Sequence, residues 1–353
     1  MRLATFSLVI VIASGCSITE TDGQSPSPSA PQNDGGAKSD GGDAKTSTPC
    51  VPGAPELLAD DESGPSAIVA DATHVYWLRF KESTLVRAPV GGGDIEVFWE
   101  KAARFDLAID DKNVYVASEE GLVAIDKTAK TRTVVGSGKT SRGIAVHGGN
   151  VAWTSDGRAT YSSNESNNKY FGERAGLWSG FRTIALDDTA VYDASRGAEV
   201  IRFPLDGSPE ERLMLAANVT LRSNATHLFT VGPHVMDFAF PNRKGVLYMP
   251  KAGGEPKLME LVATTPLEVA ILGPVDMAVE GDEVFIVGSA GVHWARVGES
   301  FKPLTSKPTV SELQPTSGNN GIAVNATHVF WTGHGLDGAA RSKGQVYRVA
   351  RCK

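Results

Sequence analysis

From about residue 55 onward the chain alternates apolar and polar positions in short runs, each broken by Gly, Pro, Asp or Asn, which is the rhythm of strands joined by tight turns. One run recurs. Its fullest copies are Ile68-Val-Ala-Asp-Ala-Thr-His-Val-Tyr-Trp77 and Ile322-Ala-Val-Asn-Ala-Thr-His-Val-Phe-Trp331, with weaker copies at Leu107–Val116, Ile144–Trp153, Ile184–Asp193, Leu221–Thr230 and Met277–Ile286. The polar residue in the middle falls at Asp71, Asp110, His147, Asp187, Asn224, Glu280 and Asn325, so successive copies lie 39, 37, 40, 37, 56 and 45 residues apart. That is the length of one four-stranded blade in a radial repeat.

A second signature follows the first, as in Leu85-Val-Arg-Ala-Pro-Val-Gly-Gly92, Val200-Ile-Arg-Phe-Pro-Leu-Asp-Gly207 and Val246-Leu-Tyr-Met-Pro-Lys-Ala-Gly-Gly254. A short outer strand such as Glu96-Val-Phe-Trp99 or Glu211-Arg-Leu-Met-Leu215 completes the unit. Each unit thus reads as strands a, b, c and d. The pattern resembles the YWTD-type propeller repeats and related repeats of secreted bacterial lipoproteins over residues 55 to 351. The unit holding Ile-Ala-Leu-Asp187 and Pro-Leu-Asp-Gly207 is the closest match. The resemblance implies an all-β fold, a single β-propeller, and says almost nothing of activity. Familiar YWTD propellers have six blades; the phrase count here is seven. The last unit stops after strand c, Gln345–Ala350, and Pro55–Ala59 fits the missing strand d, so the N-terminal strand is expected to complete the last blade and close the ring.

Upstream, Met1-Arg2 precedes an apolar run from Leu3 to Ala13, too short for a bilayer-spanning helix, and then Ser14-Gly15-Cys16. The segment is a secretory signal and resembles a bacterial lipobox, with Ala13 where Leu is commoner. The resemblance implies cleavage before Cys16 and lipidation of its thiol; Ser17 in place of Asp favours the outer membrane. An ordinary signal with a chance cysteine is the alternative. Residues 17–49 are Ser, Pro, Gly, Asp and Ala with almost no large apolar side chain, the composition of a flexible tether. The expected division is therefore 1–16 signal, 17–49 tether and 50–353 propeller. With Cys16 lipidated, Cys50 and Cys352 remain. They flank the borrowed strand d and the last strand c, and a bridge between them would stand in for the turn that joins c to d elsewhere. Two free thiols are the other reading.

The net charge of −7 gives no footprint for nucleic acid. No G-x-S-x-G elbow, H-E-x-x-H helix or cofactor fingerprint is present, so no cofactor or metal is expected. His74, His227 and His328 share one repeat position and belong to turn chemistry. Alternation along strand a suggests large residues packing between blades, with small ones, Ala108, Ala145, Ala185, Ala278 and Ala323, facing the axis. Arg222 breaks that series. Asp106 and Asp276 stand two residues ahead on the same parity, with Arg142 and Arg182 nearby. This is either a polar pocket at the channel mouth or a salt bridge that plugs the channel. The longest insertions fall in b–c and d–a connections, which leave from one face, and bring Trp178, Tyr170, Phe171, Phe238, Phe240 and His334 to it. No clean strand c is visible between Trp153 and Phe181.

Three functions fit. The first is a lipid-anchored extracytoplasmic binding module for an envelope protein or glycan, through the loop face, with no catalytic group. The second is a lyase- or hydrolase-like enzyme using Asp106 or Asp276 as general acid or base and Arg222 to stabilise negative charge. The third is a structural lipoprotein without a dedicated ligand.

Overall fold

The computed structural model describes residues 53–102, 106–118, 120–136, 143–155, 158–162, 169–171, 184–194, 199–214, 220–231, 245–261, 274–288, 291–305, 321–334 and 344–351. Their regular structure is entirely β. Strand β1 (Glu56–Glu62) stands first. Blade 1 follows as β2 (Pro65–Ala70), β3 (His74–Arg79), β4 (Thr84–Pro89) and β5 (Glu96–Glu100), and blade 2 as β6 (Leu107–Ile109), β7 (Asn113–Ser118), β8 (Gly121–Asp126) and β9 (Arg132–Gly136). Blade 3 is β10 (Ile144–His147), β11 (Asn150–Ser155), β12 (Arg158–Ser162) and β13 (Lys169–Phe171); blade 4 is β14 (Ile184–Leu186), β15 (Ala190–Asp193), β16 (Val200–Pro204) and β17 (Glu211–Met214). Blade 5 is β18 (Thr220–Ser223), β19 (His227–Val231), β20 (Gly245–Pro250) and β21 (Lys257–Glu260), and blade 6 is β22 (Pro274–Glu280), β23 (Glu283–Gly288), β24 (Gly291–Arg296) and β25 (Lys302–Pro303). Blade 7 has β26 (Ile322–Val324), β27 (His328–His334) and β28 (Gly344–Ala350), and its outer strand is β1, antiparallel to β28 with Glu56 opposite Arg348 and Glu62 opposite Gly344.

The innermost strands touch in the order β2, β6, β10, β14, β18, β22, β26, and β26 returns to β2. The molecule is a β-propeller. Three placements expected from the sequence change. Blade 3 does contain strand c, β12, and Tyr170 and Phe171 lie in its strand d rather than in a loop. Arg-Ala-Thr-Tyr-Ser is too polar a run to announce a strand; pairing with β11 places it. His334 likewise ends β27, opposite Gly344, instead of standing in a loop.

The alternation along strand a also resolves differently. Ile144 packs on blade 2, Ile184 on blade 3 and Ile322 on blade 6, while Ala108 packs forward on blade 3, Ala278 on blade 7 and Ala323 on blade 1. Sheets in this fold stand radially, so both faces of every sheet meet a neighbouring blade and the axis sees strand edges. The alanines are small because two sheets converge there, not because seven side chains collide at the axis.

The mid-phrase residue has two tasks. Its first oxygen closes the a–b turn: Asp71 Oδ1 accepts the N–H groups of Thr73 and His74 at 2.8 Å each, and Asn325 Oδ1 those of Thr327 and His328 at 3.0 and 2.9 Å. At Asp110 the second oxygen accepts the hydroxyl of Tyr115 in its own blade at 2.8 Å. At the other acidic positions the side chain reaches the next blade and meets a cation that directly follows that blade's strand c: Asp71 with Lys127 at 3.0 Å, Asp187 with Lys251 at 2.7 Å, and Glu280 with Arg351 at 2.7 Å. At Val90 and Val297 that following residue is apolar, the preceding blade's phrase carries Asn, and the amide donates to the neighbour's backbone: Asn325 to Asp71 O and Asn224 to Gly281 O, both at 2.8 Å. Both solutions leave no charge uncompensated at a half-buried joint.

These joints make stability acid-sensitive. Burial pushes the Asp71 carboxyl up, but the N–H groups of His74 and Thr73 and the Lys127 ammonium outweigh it and hold the value down at about 2; Asp187 is depressed further by Lys251 and Thr189. Because the folded values lie below the unfolded value of 3.8, this stabilisation is complete above about pH 4 and is lost as pH falls through about 2. At 1.36 kcal/mol per unit, Asp71 contributes on the order of 2 kcal/mol. A chain with Asp71→Asn and Lys127→Val converts this joint to the kind found between blades 7 and 1. It is expected to stay folded at pH 7 and to show a shallower fall in urea midpoint between pH 4 and pH 2.5; an unchanged fall would dismiss the assignment.

Candidate functional site

The ring encloses a central cavity of about 990 Å³, open to solvent. All seven innermost strands contribute to its wall, largely through aliphatic residues such as Val69, Ile109, Val146, Val279 and Val324. Arg222 and Ser223 of β18 interrupt that wall with polar groups. The Arg222 side chain is 26% exposed, its Nη1 donates to Leu221 O at 2.9 Å, and its Nη2 lies 3.7 Å from Oδ1 of Asp276 on the next blade.

Both channel aspartates are fixed by backbone. Asp276 Oδ2 accepts the N–H of Ile322 at 3.0 Å, and Asp106 Oδ2 accepts the N–H of Ile144 at 2.9 Å. Each thereby holds the first residue of the following blade's inner strand. A glycine precedes that residue both times, and its N–H goes to a threonine hydroxyl of strand b: Gly143 to Thr154 at 3.0 Å and Gly321 to Thr332 at 2.8 Å. The two aspartates are 2% and 1% exposed, and neither is among the residues that line the cavity.

Among the described residues, the cavity wall runs from the start of the inner strands to the other end, where His147, Asp188, Thr189, Ala225 and Ala252 border it. One opening therefore lies among the short a–b turns; residues 172–183, 232–244, 262–273, 306–320 and 335–343, where the expected mouth beside the long loops falls, lie outside the described residues. Among the a–b turns the His147 Nε2 and Asp188 Oδ1 atoms lie 3.1 Å apart, and a side arm between blades 4 and 5 is bordered by Tyr192, Arg202, Glu211 and Lys251. Burial and the neighbouring Asp187 raise the Tyr192 phenol to about 12, and its hydroxyl donates to Asp187 Oδ2 at 3.0 Å.

His74, His227 and His328 open strand b in their blades, each with Nδ1 at 2.8 to 2.9 Å from the preceding threonine hydroxyl. Burial lowers all three below the usual imidazole value, with Arg87, Lys257 and Arg348 adding to the effect at the three sites. Their role is in the turn. No group of three or more His, Cys, Asp or Glu side chains converges among the described residues. Of the remaining expected site residues, Cys16, Cys50, Cys352, Arg142, Arg182, Trp178, Phe238 and Phe240 lie outside the described residues. Ser223 was not singled out from sequence. The signal was present in the phrases themselves, since Ala70, Ile109, Val146, Leu186, Val279 and Val324 hold its place in the other six.

No family model matches the chain, and no curated protein does. Solved structures do. A streptogramin B lyase is 14% identical with a TM-score of 0.57, covering 84% of this chain and 97% of that one. A catalytically inactive virginiamycin B lyase from Staphylococcus aureus with quinupristin is 14% identical with a TM-score of 0.56, covering 84% and 98%. The extracellular domain of a protein described as a hybrid two-component system from B. thetaiotaomicron is 11% identical with a TM-score of 0.56, covering 83% of this chain and 39% of that one. At these identities the likeness is one of fold.

Proposed function

We propose that the chain is an exported lipoprotein, anchored through Cys16, whose propeller binds an envelope protein or a glycan and does no chemistry of its own. In this reading the mature protein sits at the outer membrane on a tether of residues 17–49. A Cys50–Cys352 bridge reinforces a seven-bladed ring already closed by β1.

The observation that supports it most is an asymmetry between the two faces. The a–b turns are uniformly short: 71–73, 110–112, 187–189, 224–226 and 325–327. The connections that leave the opposite face include the spans 172–183, 232–244, 261–273, 304–321 and 335–343. Fold closure does not require such lengths, and loops carried on a rigid scaffold are where recognition is usually built. The enzyme alternative drew on Asp106 or Asp276, and both carboxylates are engaged by backbone N–H groups of the next blade. Lyases among the structural neighbours share the fold, which hosts many unrelated functions.

Two experiments test the reading. Palmitate labelling in the native host should mark the wild type and not a Cys16→Ser chain; labelling of both would remove the anchor. Cross-linking on intact cells should capture one partner with the full chain and lose it when residues Val235–Arg243 are replaced by a Gly-Ser turn. Identical capture by both would overturn the loop-face assignment.

A further inference from the structure

Two blades carry the same three side chains at the same places, and a third differs from them by one hydroxyl. Tyr76, Arg87 and Glu96 lie side by side across strands b, c and d of blade 1, Tyr192, Arg202 and Glu211 across those of blade 4, and Phe330, Arg348 and Glu56 across those of blade 7. The arginine pairs with its glutamate each time. In blades 1 and 7 it is also a strap between blades. Nε donates to the glutamate at 2.9 Å in both, and Nη1 crosses to the carbonyl of the residue that follows the next blade's strand c, Lys127 O at 3.0 Å in one case and Val90 O in the other.

Blade 4 departs from that rule. Arg202 turns Nη1 to Glu211 at 3.0 Å, and among the described residues its Nε is buried without a hydrogen-bond partner and no bond is made to Lys251 O, the equivalent carbonyl. The central cavity reaches outward at this same joint. Tyr192, Arg202, Glu211 and Lys251 all border it, and none of the side chains of the other two trios does. One set of residues thus closes two joints and leaves the third open. A buried donor without an acceptor is costly, and an oxygen brought from outside relieves it.

The charges around the opening decide what it can take. Two cations, Arg202 and Lys251, and three carboxylates, Asp187, Asp188 and Glu211, border it. Lys251 is held by Asp187 at 2.7 Å and Arg202 by Glu211, so a ligand with a net charge of either sign meets a like charge beside every opposite one. A hydroxyl both donates and accepts. Neighbouring hydroxyls can accept from a guanidinium and donate to a carboxylate at once, which matches the Arg202–Glu211 pair.

We propose that the recess between blades 4 and 5 is a binding site for a neutral monosaccharide, with vicinal hydroxyls held by Arg202 and Glu211 and a further one by the exposed Asp188. The site opens among the short a–b turns, away from the long connections, and does not rest on the function proposed for those.

The test uses the full chain with glucose, galactose and mannose as probes, glucuronate and glucosamine as charged counterparts, and titration calorimetry beside thermal melting. At least one neutral hexose should bind saturably, and more tightly than its charged counterparts. Arg202→Ala with Glu211→Thr copies blade 2, where Ala124 and Thr133 stand beside Tyr115, so that chain should fold. It should bind the hexose about tenfold more weakly or worse, the worth of hydrogen bonds to charged groups. Arg87→Ala with Glu96→Thr makes the same change where the strap is closed; it should lower the melting temperature further than the blade 4 pair does and bind the hexose as the wild type does. The proposal is overturned if none of the three hexoses binds saturably, if a charged sugar binds more tightly than the neutral ones, or if the blade 4 variant binds as the wild type does. It is also overturned if that variant loses as much melting temperature as the blade 1 variant, which would make Arg202 a strap like its sisters. Capture through the loop face is unaffected by any of these outcomes.

Discussion

A Glu62→Ala chain is expected to lose about 3–5 kcal/mol of stability, the cost of stripping one partner from a buried ion pair. Glu62 is 2% exposed at the end of β1, the strand that completes blade 7, and the described partners of its side chain lie in blade 1. Its Oε2 accepts Trp77 Nε1 at 2.8 Å and Arg79 Nε at 2.6 Å, and its Oε1 accepts Arg79 Nη2 at 2.8 Å. Removing the carboxylate leaves an indole N–H and most of a guanidinium without acceptors at the seam where the two ends of the ring meet. Glu62→Gln keeps the shape and an acceptor for Trp77 but loses the bidentate charged pair, and should cost roughly half as much. Urea titration of the three chains gives the comparison; a loss for alanine within about 0.5 kcal/mol of zero, the range of ordinary surface substitutions, would show that the seam is held elsewhere.

The second large effect is expected at Gly136, which ends the outer strand of blade 2. A Cβ there would lie 2.1 Å from Cζ2 and 2.6 Å from Cη2 of Trp153, an indole that is 1% exposed in blade 3. Trp153 is rigid and enclosed, so it cannot step aside, and Gly136→Ala should cost about 3 kcal/mol by overpacking. Trp153→Phe should relieve much of that penalty in the double variant although it costs stability alone, a coupling that a denaturation cycle measures directly. Additive losses would mean the indole is not what excludes the methyl group. Trp77 and Trp153 hold the same place in the phrase and wedge onto the outer strand of the preceding blade in both cases, one capped by a carboxylate and the other seated on a glycine.

The repeat phrase was legible because it states a local rule seven times, an apolar inner strand, a tight turn and a second strand, with an Asp or Asn side chain closing the turn in five of the copies. Each copy becomes the inner pair of one sheet. The cross-blade joints were present in the same letters, as an acid matched to a base some 55 to 70 residues on or an Asn matched to an apolar residue, but that matching acquires meaning only once blades are known to stand side by side. Strand β12 was hidden because a pairing partner, not its own composition, determines it. The channel site was half visible. Arg222 announced itself as a charge in an apolar series, whereas Ser223 is unremarkable alone and stands out only against six aligned copies. The strand-a alternation was assigned to axis and interior, when radial sheets turn both faces to neighbours.

The pairing of β1 with β28 also sets an order of events during synthesis. Strand β1 has no partner until β28 has been made, so its bare edge stays available while all the intervening strands are synthesised. A chain cut short anywhere before residue 344 would carry that edge permanently. The seam therefore works as a length check: only a polypeptide that extends through β28 can hide the strand that a protease or an aggregating neighbour would otherwise seize.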